Sequence, residues 1–235
     1  MKIYPFMIQQ SDHWFRARKG RVTASNADRI LTPTGKDSSQ WDSYAIELTA
    51  ECIRPDEQPA FAGNMHTDRG NELEDAAIAE FSTIMGVSVV KVGFALRADG
   101  VVGFSPDAMI LRPGVNLERD AIFEGEGEHR AIINGSDLFM AGIEAKCPLA
   151  KNHAQYIIDG GVPGKYLPQV HFSMAASGLP WYFLSYCPGM LPHIAAVNPD
   201  SYTGKMGDAI DRFLIYYGNR RTQIMPKLLG KGVAA

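Results

Sequence analysis

Two apolar stretches, VVGFSPDAMIL (101–111) and LFMAGIEAKCP (138–148), decide the fold. Each is apolar enough to form a buried strand, yet the first contains Asp107 and the second contains Glu144 and Lys146. Charged side chains are unusual in a core strand. Because residues i and i+2 of a strand point to the same face, Glu144 and Lys146 project together, while Ala145 turns inward. The sequence therefore predicts a polar pocket beside two buried strands.

The composition of that pocket allows two interpretations. Asp107 beside a Glu-x-Lys pair gives several carboxylate oxygens and one ammonium group. Such a set suits Mg²⁺, which takes hard oxygen ligands and keeps water molecules for a substrate phosphate. The alternative is an ion pair of Lys146 with Glu144 or with Asp107 at a sheet end. The spacing alone does not choose between them.

The rest of the chain predicts helices on both sides of these strands. The predicted helices are a short one capped by Ser11 and running to Lys19, one from Thr23 or Ser25 to about Leu31, and then 41–53, 64–85, 149–158, 164–177 and 201 to about 221. The remaining predicted strands are 87–97, which pairs with 101–111 around Gly100, and then 181–187 and 193–197. This order predicts an α/β fold, with a central mixed β-sheet of three to five strands flanked by helices.

Residues 112–137 interrupt this plan. They are rich in charge and glycine, and they predict an inserted β-hairpin with an acidic tip at Glu124-Gly125-Glu126-Gly127-Glu128. The sequence contains neither an internal repeat nor a linker, so we expect residues 1–235 to form a single domain.

The composition excludes several classes of protein. With 46% hydrophobic and 21% charged residues, the 235-residue chain is neither collagen-like, disordered nor a coiled coil. It has no apolar run typical of a signal peptide or a membrane span, which predicts a cytoplasmic protein. Three scattered cysteines without a CxxC pair argue against a disulfide framework. The sequence also lacks a Walker A loop and the GxGxxG, GxSxG and HExxH motifs.

The net charge of -3 hides an uneven distribution. The balance is +4 over residues 1–40, -8 over 42–80 and +4 over 205–235. The total by itself argues against a nucleic-acid partner, but acidic residues that bind a metal would lose their charge to it. We therefore expect the basic N-terminal segment to line any DNA path, with the acids of 42–80 facing outward or toward neighbours.

Several motifs, in order, resemble those of one nuclease family. They are WFRARKGRVTAS (14–25), Gly70-x3-Glu74-x-Ala76, Ser105-Pro106-Asp107, Glu144-Ala145-Lys146-Cys147-Pro148, Tyr166-x2-Gln169-Val170 and Trp181-Tyr182-Phe183. Together they resemble the lambda exonuclease family, also called the YqaJ-type viral recombinase nucleases. The resemblance implies the restriction-endonuclease-like PD-(D/E)xK fold. One departure is the long interval between Asp107 and Glu144, which contains the predicted insertion.

The resemblance also implies roles for individual residues. It assigns one or two Mg²⁺ ions, with Mn²⁺ as a substitute, to Glu74, Asp107, Glu144 and the backbone carbonyl of Ala145. Lys146 would orient or deprotonate the attacking water, which makes Glu74, Asp107, Glu144 and Lys146 the catalytic set. A guanidinium gives bidentate phosphate contacts. By resemblance, the DNA 5′-phosphate is held by Arg18, Ser25, Ser105 and Gln169, with Tyr166 as a supporting residue.

The implied activity is 5′→3′ digestion of one strand of double-stranded DNA to 5′-mononucleotides. Family resemblance also implies a homotrimer, a single-strand annealing protein as partner, and a phage or prophage origin in a bacterial host. One alternative is an endonuclease or structure-specific nuclease, because the metal motif is common to both. Another is a non-catalytic DNA-end-binding adaptor, although clustered carboxylates repel phosphate and do not help a protein that only binds DNA.

Overall fold

The computed structural model describes residues 1–57 and 65–230, and for 65–71 it describes only the path of the helix. The helices are α1 Asp12–Arg18, α2 Trp41–Ile53, α3 Met65–Met85, α4 Leu117–Asp120, α5 Gly135–Leu138, α6 Ala150–Asp159, α7 Leu167–Ser177 and α8 Ser201–Leu228. The strands are β1 Lys2–Tyr4, β2 Val22–Thr23, β3 Val89–Val90, β4 Phe94–Leu96, β5 Val102–Phe104, β6 Ala108–Leu111, β7 Phe123–Glu124, β8 Ala131–Ile132, β9 Phe139–Lys146, β10 Trp181–Ser185 and β11 His193–Val197.

The strands form two mixed sheets. One has six strands in the order β2-β5-β4-β1-β8-β7, and the other has five in the order β11-β10-β9-β6-β3. The α/β fold class with a mixed sheet flanked by helices is confirmed, and the five-stranded sheet agrees with the predicted three to five strands, but the six-stranded sheet was not expected. The additional sheet contains β1 and β2, which were not predicted because strands of two or three residues are too short to show alternation.

Each strand of the predicted 87–97/101–111 hairpin is divided between the two sheets. The segment β4 pairs antiparallel with β5 in the six-stranded sheet, and β3 pairs antiparallel with β6 in the five-stranded sheet. A Cβ atom on Gly93 would lie 1.8 Å from the carbonyl oxygen of Met7, so only glycine allows the N-terminal loop to cross here. The other strand of the hairpin passes between the sheets at Ser105-Pro106-Asp107, which places Asp107 at their junction.

The strand β9 is central to the five-stranded sheet. It pairs antiparallel with β6 and parallel with β10, so that Lys146 lies opposite Ser185. Helix α3 packs on one face of this sheet through a core cluster that includes Ala77, Phe81 and Ile143. That packing brings Glu74, one turn earlier on α3, toward the polar end of β9.

The region 112–137 contains two short helices, α4 and α5, and the antiparallel pair β7–β8. Ile132 of β8 lies opposite Ile3 of β1, which attaches this hairpin to the six-stranded sheet. Glu126 and Glu128 lie in the connection between its strands.

Other boundaries differ from the predictions. The second predicted helix is a 3₁₀ segment, Ala24–Arg29, the predicted strand 181–187 ends at Ser185, and α8 continues past residue 221 to Leu228. The predicted start of α3 at residue 64 lies outside the described residues. Within the described ranges, no helix combines the length and apolar character needed to cross a membrane.

Candidate active site

Three of the predicted catalytic side chains meet where β6 begins and β9 ends. Asp107 and Glu144 are 8% and 2% exposed. The Asp107 Oδ2 atom accepts a 2.6 Å hydrogen bond from the backbone amide of Ala145. The ammonium group of Lys146 pairs with Glu144 Oε1, and Gln169 Nε2 donates to the same oxygen at 2.7 Å. The structure thus brings together the oxygen-rich pocket and its single ammonium group.

Negative charge exceeds positive charge in this pocket. Burial, and then the charge of Glu144, raise the pKa of Asp107 to about 7 against the opposing effect of Lys146. Burial alone would lower the pKa of Lys146, but the charges of Glu144 and Asp107 raise it above its usual value. Lys146 is therefore held as an ammonium ion, whereas the ionised form of Asp107 is destabilised by its surroundings.

Glu74 adds a third carboxylate from the neighbouring helix α3. Burial, and then the charge of Asp107, raise the pKa of Glu74, although Lys91 acts in the opposite direction. Lys91 Nζ lies 3.0 Å from Glu74 Oε1 and 2.6 Å from Asp75 Oδ1. Sequence reasoning missed Lys91. The sequence feature that could have identified Lys91 is that it is the one charged residue between residues 87 and 96.

The donor set fits a divalent cation in its chemistry. Carboxylate oxygens of Glu74, Asp107 and Glu144, with the Ala145 carbonyl, are hard ligands of the kind Mg²⁺ prefers. The raised pKa values of Asp107 and Glu74 identify excess negative charge that such a cation would neutralise. In the described part of the chain, no three His, Cys, Asp or Glu side chains are already placed to hold a metal ion.

A second polar site surrounds Arg18 on α1. Its Nη2 atom lies 2.6 Å from Ser25 Oγ and 3.4 Å from Thr23 Oγ1, and its Nη1 atom lies 3.4 Å from Ser105 Oγ. The guanidinium also covers the Trp14 ring at 4.2 Å. Burial lowers the pKa of Arg18 to about 10. Arg18 forms no ion pair with a carboxylate among the described residues, so its charge and the hydroxyls of Ser25 and Ser105 are available to an anion.

The Arg18 site is rigidly joined to the carboxylate site. Ser105 lies two residues before Asp107, and Trp14 Nε1 donates to Ser105 Oγ at 2.9 Å. Gln9 Nε2 donates to the carbonyl oxygens of Val92, at 3.1 Å, and Pro106, at 3.2 Å. These bonds join the two points, at Val92 and Pro106, at which the strands of the hairpin pass from one sheet to the other. Sequence reasoning gave Gln9 no role because it lies in a loop without a recognisable pattern.

Two further predicted residues lie on the carboxylate side. Gln169, which the sequence grouped with Arg18, donates a hydrogen bond to Glu144. Tyr166 stacks on Phe183, with ring centroids 5.4 Å apart, and its ring centroid lies 5.7 Å from Lys146 Nζ. Tyr166 therefore supports the side chain of Lys146.

This fold, with an aspartate following a proline and a Glu-x-Lys strand end beside it, is of the PD-(D/E)xK type. A comparison with family models matches residues 13–180 to the YqaJ-like viral recombinase domain. The chain belongs to that family, as the sequence motifs predicted. Family and fold together support a nuclease of the phage recombination exonuclease kind.

Solved structures share the fold. The chain is similar to an alkaline exonuclease, LHK-Exo, from Laribacter hongkongensis, with a TM-score of 0.70, 21% identity, and coverage of 94% of this chain and 100% of that one. The structure of LHK-Exo in complex with dAMP gives the same TM-score and coverage at 22% identity. A phage-related exonuclease from Haemophilus somnus 129PT has a TM-score of 0.57 and 16% identity, over 88% of this chain and 96% of that one. No curated protein matches the chain significantly.

Proposed function

We propose that this protein is a Mg²⁺-dependent 5′→3′ exonuclease that degrades one strand of double-stranded DNA to 5′-mononucleotides. The remaining 3′ single-stranded tail would serve recombination by strand annealing. The observation that carries this proposal is the fixed link between an unpaired guanidinium and a carboxylate cluster, because Ser105 contacts Arg18 and lies two residues from Asp107. A protein that binds the terminal phosphate of DNA next to its hydrolytic centre cleaves at a fixed distance from the DNA end.

Each group then has a role that its surroundings support. Glu74, Asp107, Glu144 and the carbonyl of Ala145 would hold the metal, which when bound stabilises charge on the attacking and leaving oxygens. Lys146, held as an ammonium ion by Glu144 and Asp107, orients the attacking water and neutralises charge that develops on the phosphate. This protonation state favours orientation of the water over its deprotonation by Lys146.

The phosphate site depends on Arg18, Ser25 and Ser105. Ser25 is exposed, so the site is open to a DNA end from solvent. The guanidinium can exchange its hydroxyl partners for two phosphate oxygens, and the displaced hydroxyls can then donate to the same anion. Gln169 is better suited to positioning Glu144, which it already contacts.

The decisive experiment compares three DNA substrates with equal sequence. We expect linear duplex with 5′-phosphate ends to release mononucleotides in Mg²⁺ and none in EDTA. Linear duplex with 5′-hydroxyl ends should react more slowly, and closed circular duplex should remain intact. Cleavage of the circle would show an endonuclease instead, whereas binding of ends without nucleotide release in Mg²⁺ or Mn²⁺ would show an adaptor.

The assembly and its partner are also proposals, supported by family membership. We propose a homotrimer that works with a single-strand annealing protein of the same phage or prophage in the bacterial cytoplasm. Mass photometry should give a particle three times the 25.8 kDa chain mass. A monomer at working concentrations would contradict the trimer and leave the proposed chemistry intact.

A further inference from the structure

An exposed lysine lies beside the candidate active site. Lys165 Nζ lies 4.7 Å from the centroid of the Tyr166 ring and 5.8 Å from that of Tyr156. These two rings are nearly perpendicular, at 88°, with centroids 6.3 Å apart. A cation over aromatic faces is attracted by their electron density. The aromatic pair thus orients the ammonium group of Lys165 without neutralising its charge.

The aromatic pair is itself fixed to the catalytic strand. Tyr166 stacks on Phe183, and Phe183 lies opposite Glu144 in the parallel β9–β10 pair. Lys146 Nζ lies 5.7 Å from the Tyr166 ring centroid, so Lys146 and Lys165 share one aromatic support. Their ammonium groups are therefore no farther apart than the combined 5.7 and 4.7 Å.

The two lysines differ in whether their charge is paired with a carboxylate. Lys146 is paired with Glu144, whereas Lys165 forms no ion pair with any carboxylate in the described part of the chain. The Tyr156 hydroxyl, acting with that of Tyr166, raises the pKa of Lys165, so it is a cation at any pH at which the enzyme would work. The loop before it is anchored because His193 Nε2 hydrogen-bonds the carbonyl oxygen of Gly161 at 2.7 Å. Lys165 is therefore a cation that is held in position, exposed to solvent and not paired with a carboxylate. Next to a site for a phosphodiester, such a cation is suited to bind a second phosphate.

We propose that Lys165 binds a phosphate of the degraded strand adjacent to the phosphate that is cleaved. This assignment rests on the proposed function. Successive nucleotides of one strand advance about 3.4 Å along the helix axis, so two ammonium groups on one aromatic ring are close enough to contact neighbouring phosphates. Lys165 is then a binding residue that orients the strand, and Lys146 acts at the reacting phosphate.

The test is the salt dependence of digestion for Lys165→Met, which keeps the aliphatic stem and removes the charge. We expect KM for a 5′-phosphorylated linear duplex to rise about 3–10-fold and kcat to change less than about twofold. The slope of log KM against log salt should decrease by about one, the loss of one phosphate contact. Lys165→Arg should restore the slope.

Lys151→Met is the matched control, because Lys151 is an exposed lysine on α6 with no ion pair to a described carboxylate. We expect it to leave both KM and the slope unchanged. An unchanged slope in Lys165→Met, an equal change in Lys151→Met, or a fall in kcat at constant KM would each overturn the assignment. If the wild-type protein digests DNA, any of these results rejects only the role of Lys165. If it does not, the proposed function itself fails.

Discussion

Asp107 is a residue at which stability and function oppose each other. Its carboxylate is buried beside Glu144, and its pKa is raised to about 7 by burial and then by that neighbour. The folded state therefore binds the Asp107 proton more tightly than the unfolded chain does, and with EDTA present the contribution to stability falls as pH rises from about 4 to 7. A neutral isostere avoids this penalty, although a metal ligand is lost.

We predict that Asp107→Asn raises the unfolding free energy in EDTA at pH 8 by about 1–3 kcal/mol. The new side chain keeps an oxygen that can accept from the Ala145 amide. The same variant should lose nuclease activity by about 100-fold or more. Urea denaturation between pH 4 and 8 measures the first effect, and nucleotide release measures the second.

Asp99→Asn is the control, for which we expect a change in unfolding free energy of the opposite sign. Asp99 is exposed and pairs with Arg97; partial burial opposes its ionisation, but the hydrogen bond from Arg97 and those from two backbone amides hold its pKa below the usual value. Its neutral isostere should therefore destabilise the protein and leave digestion intact. If Asp107→Asn were as destabilising as Asp99→Asn, the excess negative charge assigned to the pocket would be absent.

Arg18 is the second residue whose role can be isolated. We predict that Arg18→Met, which keeps the stem against Trp14, reduces the preference for 5′-phosphate over 5′-hydroxyl ends by about 10–100-fold. The physical reason is the loss of charge-assisted hydrogen bonds to a terminal phosphate. The measurement is the ratio of initial digestion rates on the two linear duplexes.

Arg29→Met tests whether any half-buried arginine gives this result. Arg29 covers the Tyr44 ring at 4.4 Å, but its charge is paired with Glu47 at 2.7 Å. We expect this variant to preserve the end preference. Retention of the preference in Arg18→Met would exclude Arg18 as the phosphate ligand.

At the scale of elements, sequence patterns predicted what was long or chemically distinctive. The bounds of α2 agree with the prediction at both ends, and the Glu144/Lys146 pair lies at the end of β9 as expected. The patterns did not show that the hairpin changes sheets, because alternation continues through Lys91-Val92-Gly93. That change depends on the N-terminal loop, whose contact with Gly93 joins residues 86 positions apart in the chain.

The hairpin crossing gives an element-scale prediction. A Cβ atom on Gly93 would lie 1.8 Å from the Met7 carbonyl oxygen, far inside any tolerated contact. Gly93→Ala should therefore displace the loop and destabilise the protein by about 3 kcal/mol or more. Thermal unfolding of purified protein, or loss of soluble expression, measures this effect.

Gly218→Ala is the matched control for that change. Gly218 lies inside α8, and no neighbouring atom is within 4 Å of the position that an alanine methyl group would take there. Alanine at this position should stabilise the protein by about 0.5–1 kcal/mol, since glycine loses more backbone entropy in a helix. Equal behaviour of the two variants would show that the crossing does not require glycine.

At the scale of the whole molecule, the basic ends of the chain are not equivalent. Two of the six basic residues of 205–235 are engaged internally, since Arg212 pairs with Asp37 and Arg220 pairs with Asp42 of α2. Tyr216 also hydrogen-bonds Asp42. These contacts account for part of the acidic segment and leave fewer free cations on α8 for DNA. The N-terminal site differs because its Arg18 remains without a carboxylate partner among the described residues.

This asymmetry predicts which cations contribute to the salt dependence of DNA binding. A cation already paired with a carboxylate releases few counterions from DNA, whereas an unpaired one that contacts a phosphate contributes about one to the slope. The double variant Arg212→Gln/Arg220→Gln should therefore leave the slope of log Kd against log salt unchanged. It should lower the unfolding free energy only slightly, because solvent-exposed ion pairs contribute little to stability. Arg18→Met should lower that slope by about one. Fluorescence anisotropy with a labelled duplex across a potassium chloride series measures all three proteins, and a smaller slope in the double variant would place the DNA along α8 instead.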